Sequence, residues 1–131
     1  MEHTNPPLIL VVDDEPAFRE IFSIKLNAAG YRVETAENGA IAIEKAKMLR
    51  PDLILMDVKM PVMDGATAAL QLLGDPETKD IKMVFLTSIG DPQAEMEEMH
   101  RKISAEFGMQ GYLRKTDDLD ILSEKIKEFL P

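Results

Sequence analysis

Four short polar pieces of this chain carry the residue types that phosphate chemistry needs. They are Asp13-Asp14, Asp57, Thr87-Ser88 and Lys115. Each follows an apolar run that reads as a β-strand: Leu8-Ile9-Leu10-Val11-Val12, Leu53-Ile54-Leu55-Met56, Met83-Val84-Phe85-Leu86 and Tyr112-Leu113-Arg114. Open α/β sheets place their sites outside the carboxyl ends of the strands. Taken singly, the pieces say little: an Asp pair after a strand is more often a cap or loop, and a lone lysine is usually on the surface. Together, at four strand exits, three carboxylates, a hydroxyl pair and an ammonium are what a divalent cation and a phosphoryl group require.

Three carboxylates at one place repel each other. At an effective dielectric of about 20, one like-charge contact at 4 Å costs roughly 4 kcal/mol. Either a proton is retained at raised pKa or a cation binds. Carboxylate oxygens without imidazole or thiolate select Mg²⁺, or Mn²⁺, usually with several waters kept. Three negative charges then meet the two of the metal and the one of Lys115, and the site is neutral. Asp57 is the best nucleophile, because a carboxylate at the end of a central strand is fixed yet reachable and can form an aspartyl-phosphate. In-line transfer needs positive charge at the equatorial oxygens, from the metal, from Lys115, and from the Thr87 hydroxyl or backbone amides.

The positioning elements follow from periodicity. Strand and helix patterns alternate along the chain, which implies βαβ units and a parallel sheet. Pro16 suits the first turn of a helix carrying Phe18, Ile21, Phe22 and Leu26, which Gly30 closes. Tyr31 to Thr35 alternates apolar and polar. Asn38 caps a second helix with Ile41, Ile43, Ala46 and Leu49, and Pro51 prevents its continuation. Asp64-Gly65 opens a third helix (Ala68, Leu72, Leu73) ended by Gly74 and Pro76. Ile81 to Leu86 is a strand. Asp91-Pro92 opens a fourth helix with Met96, Met99, Ile103 and Phe107, stopped by Gly108. Met109 to Leu113 is the fifth strand. Asp117 caps a last helix with Leu119, Leu122, Ile126 and Phe129. The first, third and fourth strands are continuous apolar runs and so are interior, whereas the second and fifth are edges. With right-handed crossovers the order 2-1-3-4-5 satisfies these constraints. The fold class is therefore α/β, a doubly wound five-stranded parallel sheet flanked by five helices, with Asp13, Asp14 and Asp57 at its switch point.

A chain of 131 residues is one domain, 1–131, with residues 1–6 expected to be a flexible N-terminus. It has no cysteine, so thiol and zinc-thiolate chemistry are excluded. Its 24 acidic and 15 basic residues give a net charge of −9, which argues against direct binding to nucleic acid or an anionic membrane. No signal peptide or membrane-length apolar run is visible, so the cytoplasm is the expected compartment.

The chain resembles a response-regulator receiver domain over nearly its whole length, with the flavodoxin-like topology of the chemotaxis receiver. The residues that carry this are Val11-Val12-Asp13-Asp14-Glu15, Met56-Asp57-Val58-Lys59-Met60-Pro61-Val62-Met63-Asp64-Gly65, Leu86-Thr87-Ser88 and Tyr112-Leu113-Arg114-Lys115. The resemblance implies that Asp57 accepts a phosphoryl group from the phosphohistidine of a sensor histidine kinase or phosphotransfer protein. It implies that Asp14 and Asp57 ligate Mg²⁺ directly, Asp13 largely through water, and Lys59 by its backbone carbonyl. Thr87 and Lys115 bind the phosphoryl oxygens, and Tyr112 is the aromatic switch coupled to Thr87. The fourth helix, fifth strand and last helix form the partner face, for a protein effector or a second copy. Such a chain is a signalling switch rather than an enzyme. This sequence departs from the family pattern in three places. Thr116 follows the lysine where proline is usual, which favours a trans bond. The Thr87–Lys115 stretch is longer by roughly one to two helical turns. Lys59 and Ile89 occupy variable positions that tune dephosphorylation. Alternatives are an aspartyl-phosphate phosphohydrolase, which lacks a cap insertion here, and a degenerate receiver used as a scaffold. A flavin module of the same topology ranks last, because Asp13-Asp14-Glu15 would repel the flavin phosphate.

Overall fold

Every strand of the sheet pairs in parallel with its neighbours, in the order β2-β1-β3-β4-β5. The structure is a computed structural model that describes residues 6–58, 60–87, 111–115 and 118–130. The elements are β1 (Leu8–Val12), α1 (Pro16–Ala28), β2 (Arg32–Ala36), α2 (Gly39–Leu49), β3 (Leu53–Asp57), α3 (Gly65–Leu73), β4 (Lys82–Thr87) and β5 (Gly111–Arg114). A C-terminal helix (Leu119–Ile126) and a 3₁₀ turn (Lys127–Phe129) follow. The expected fourth helix lies outside the described residues.

Burial explains the strand order. All five residues of β1 and of β3 are buried, whereas β2 alternates. Because successive side chains point to opposite faces, each interior strand feeds two cores. Leu10, Val12, Ile54, Met56, Met83 and Phe85 meet Ala42 and Ala46 of α2 and Ala68 and Leu72 of α3. Ile9, Val11, Leu53, Leu55, Val84 and Leu86 meet Phe22 and Leu26 of α1 and Leu122 and Ile126 of the C-terminal helix. Of the apolar residues expected on α2, Ala46 is buried and Ile41, Ile43 and Leu49 are half-buried, while Gly39 and Ala42 are buried beside Ala46. The reason is close approach to α3, where a Cβ on Gly39 would meet the Met63 carbonyl oxygen at 2.8 Å and the Ala68 Cβ at 2.9 Å.

The caps act as their chemistry dictates. Asn38 accepts from the Ile41 amide and Asp64 from the Thr67 amide. On the C-terminal helix the cap is Asp118, which accepts from the Asp120 amide, one residue later than the expected Asp117, which lies outside the described residues. Both Asp57 and Thr87 are the last residues of their strands rather than the first beyond them.

The loop from β3 to α3 holds one strained residue. Val62 has φ +69° and its side chain is 83% exposed. The Met63 amide donates to the Pro61 carbonyl at 2.7 Å across it, closing a three-residue γ-turn with positive φ, the rarer and strained form. A β-branched residue is poorly suited to that region. Replacing it by glycine removes strain of about 1–3 kcal/mol against an unfolded-state entropy cost of about 0.5–1 kcal/mol. Val62→Gly is therefore expected to raise the unfolding free energy by about 1 kcal/mol, read from the urea midpoint; an unchanged or lower midpoint contradicts this account.

Candidate functional site

β1 and β3 lie side by side with Val12 opposite Met56, so the residues that follow each strand meet at one edge. Asp13 is held there by its backbone on both sides. Its amide donates to the Ala36 carbonyl at 3.0 Å, and Arg19 Nη1 donates to its carbonyl oxygen at 2.7 Å. The Asp13 side chain turns inward, is fully buried, and accepts from the Glu15 amide at 2.9 Å. Asp57 is 4% exposed, while Asp14 is open to solvent. One carboxylate oxygen from each of Asp13, Asp14 and Asp57 lies within 4.8 Å of the others.

Asp57 is fixed from behind as well. The Val58 amide donates to the Leu86 carbonyl at 3.2 Å, and the Gly65 amide donates to the Val58 carbonyl at 2.9 Å. A Cβ on Gly65 would stand 2.1 Å from the Asp57 carbonyl oxygen, so only glycine lets α3 start this close to the strand end.

Lys115 reaches the cluster from the end of β5. Its Nζ lies 2.8 Å from Asp13 Oδ2 and 2.5 Å from Glu15 Oε1, and the side chain is 7% exposed. The Asp13 Oδ2 contact is an ion pair without the alignment of a hydrogen bond. The ammonium also sits 4.7 Å from the centroid of the Phe18 ring. Phe18 packs at 5.2 Å, tilted by 47°, against Phe22, a fully buried core residue.

The electrostatics follow from this crowding. Burial pushes the Asp57 carboxyl up from 3.8 to about 7. The charge of Asp13 adds to the rise, Lys115 opposes it, Asp14 adds a little, and the Val58 amide opposes it. Burial likewise raises Asp13, against the pull of Lys115 and the Glu15 amide. Glu15 is held below the usual carboxylate range by its contact with Lys115. For Lys115 itself burial favours the neutral amine, but the contacts with Asp13 and Glu15 outweigh it and hold the ammonium above its ordinary value. Three oxygens of hard donors within 4.8 Å, two of them on carboxyls that resist ionisation, form a set that a small divalent cation would relieve.

Of the residues singled out by sequence, Asp13, Asp14, Asp57 and Lys115 converge. Thr87 ends β4 opposite Arg114, and Tyr112, the second residue of β5, pairs with Phe85 two residues before that end. Lys59, Ser88, Ile89 and Thr116 lie outside the described residues. Glu15, Phe18 and Arg19 were not picked out as site residues. Phe18 fell within an ordinary apolar helix stripe. Nothing local signals the Glu15–Lys115 contact, which spans 100 residues.

The response regulator receiver domain family matches residues 9–127. The DNA-binding dual master transcriptional regulator RpaA of Synechocystis sp. is 34% identical over 124 residues, which are 95% of this chain and 49% of RpaA. The chain thus spans about half the length of that relative. Chemotaxis protein CheY4 of Vibrio cholerae superposes with a TM-score of 0.82 at 31% identity, over 95% of this chain and 99% of that one. Response regulator TrrA of Thermotoga maritima, crystallised in complex with Mg²⁺ and BeF, superposes with a TM-score of 0.76 at 33% identity, over 95% and 99%. A match that begins in the first strand and ends in the last helical turn, around an acid cluster at the switch point, makes the chain a member of the response regulator receiver family, a phosphoacceptor module of two-component signalling.

Proposed function

We propose that Asp57 is the phosphoacceptor and that it works with Mg²⁺ held by Asp14 and Asp57 directly and by Asp13 through water. The observation that carries this reading is the 4.8 Å convergence of the three carboxylates, with Lys115 at its rim. The Lys59 backbone carbonyl completes the protein ligands on the family pattern, and Mn²⁺ suits the same oxygens. The family relation to TrrA, a receiver that binds Mg²⁺ and BeF, supports the choice of metal. When bound, the cation neutralises charge on the phosphoryl oxygens and on the cluster.

The chain's own residues do the rest. Burial at the end of β3 fixes the Asp57 carboxylate and strips it of water, so one oxygen is presented in a single direction. Lys115 supplies a second positive charge, and Thr87 supplies a hydroxyl at the adjacent strand end. Tyr112, on the edge strand beside β4, is the switch residue that follows Thr87. Residues 1–131 act as one receiver unit in the cytoplasm, taking phosphoryl groups from a sensor histidine kinase or a phosphotransfer protein. The signal passes to a protein effector or a second copy of the chain, through β5, the C-terminal helix and the fourth helix expected from the sequence, which lies outside the described residues. A surface carrying −9 overall gives no support for direct binding to nucleic acid or to an anionic membrane. Among the described residues no helix is long and apolar enough to cross a membrane.

Incubation with acetyl phosphate and Mg²⁺ is expected to add one phosphoryl increment to the intact mass, absent in Asp57→Ala and without chelator-free metal. An increment that persists in Asp57→Ala sinks the assignment.

A second outcome concerns pH. The folded Asp57 carboxyl binds its proton up to about pH 7, whereas in the unfolded chain it loses it near 3.8. Between those values the folded state holds more protons than the unfolded state, so metal-free stability falls as pH rises. The shift corresponds to about 4 kcal/mol at most. Chemical denaturation in chelator is expected to show this fall in the wild type and a flatter profile in Asp57→Asn. Millimolar Mg²⁺ should restore stability above pH 7 and do little at pH 5. Equal profiles for the two proteins would show that Asp57 is not the titrating group.

A further inference from the structure

The ammonium of Lys115 has three N–H donors. Asp13 Oδ2 and Glu15 Oε1 occupy two directions, at 2.8 Å and 2.5 Å, and the Phe18 ring closes a third side at 4.7 Å from its centroid. A phosphoryl oxygen on Asp57 would compete with these contacts for the Lys115 ammonium, whose one hydrogen bond among the described residues goes to Glu15. The three are unequal. Asp13 is fully buried, so losing the ammonium would strand its charge. Phe18 packs against the buried Phe22 ring, which resists its displacement. Glu15 is 63% exposed and can return to water at small cost.

We propose that the first turn of α1 sets how readily Lys115 engages a phosphoryl group: Phe18 is the seat that keeps the ammonium at the pocket, and Glu15 is a clasp that competes with the phosphoryl oxygens. Both are positioning residues, since they act through Lys115. The inference rests on the reading of Asp57 as acceptor and Lys115 as phosphoryl contact. In the reaction with acetyl phosphate, an Asp57 oxygen forms a bond to phosphorus while the bond from phosphorus to the acetyl oxygen breaks. Acetate leaves with the electron pair, and no proton is required. Glu15 holds Lys115 back from the charge on that phosphoryl group; Phe18 holds it within reach.

The test uses the full chain as wild type, Glu15→Gln, Phe18→Leu, and each of these in a Lys115→Ala background. Two quantities are read. One is the rate of Asp57 phosphorylation by acetyl phosphate with Mg²⁺, from intact mass. The other, without donor or metal, is acylation of Lys115 by an amine-reactive ester, from peptide mass. Glu15→Gln is expected to raise the phosphorylation rate about threefold, the scale of one exposed ion pair, and to raise Lys115 acylation. Phe18→Leu should also raise acylation but slow phosphorylation about threefold, the scale of one cation–π contact. In the Lys115→Ala background neither change should alter the rate. Rate changes of the same sign in both variants, or unchanged acylation in Glu15→Gln, overturn the proposal. So does an acceleration by Glu15→Gln that survives Lys115→Ala, which would mean that Glu15 merely repels the anionic donor. If the wild type takes no phosphoryl group at Asp57, it is the acceptor reading that fails. The acylation arm then decides alone whether Glu15 and Phe18 shield Lys115.

Discussion

Like charge gathered at the edge of an apolar sheet is the constraint on which this molecule is built. Asp13 and Asp57 are carried into near-complete burial because they continue strands whose every other residue belongs to a core. Buried carboxylates at such separation cannot all ionise without a counter-charge. Lys115 is that counter-charge among the described residues of the site, and it is brought there from the far end of the chain by parallel pairing of β5 onto β4. The sheet order is therefore also an electrostatic arrangement. Exchanging the positions of two strands would separate the acids from their cation or scatter the acids themselves.

Tension of this kind is useful for a switch. A site that is over-charged at rest responds strongly to a cation and to a phosphoryl group, because both change its net charge by about two. The response must then bias an element with two arrangements. The parts nearest the charge are well braced: Arg19 holds the Asp13 carbonyl, and Gly65 pins the loop after Asp57. On the proposed reading, a rearrangement would fall on the β4–β5 side, where Thr87 and Tyr112 lie in backbone position.

Much of this was legible in the sequence because it depends on local pattern. Interior strands announce themselves as apolar runs, since both faces of β1, β3 and β4 are covered, and Asn38 and Asp64 cap as short polar side chains do before helices. Strand order followed from which runs alternated. What escaped depends on distance in sequence or on closeness in space. The Glu15–Lys115 contact joins two residues with no shared pattern, and it adds a fourth carboxylate to a charge count that had stopped at three. Phe18 reads as a core residue and is one, on its Phe22 side; its other face holds a cation. On α2 the apolar pattern names Ile41, Ile43, Ala46 and Leu49, yet the tight approach to α3 buries the small Gly39, Ala42 and Ala46 and leaves the larger three half-buried.

The contact at Gly65 has a consequence for how such a sequence can drift. The Asp57 carbonyl fills the space where any other side chain would begin, so a substitution at position 65 must shift the backbone at Asp57. Three residues earlier, Val62 is 83% exposed at the tip of its turn. Within one short loop, then, one position is closed to change and another is open. A change in what this loop presents to solvent is accommodated at its exposed tip, whereas the backbone behind Asp57 leaves no room for one at position 65.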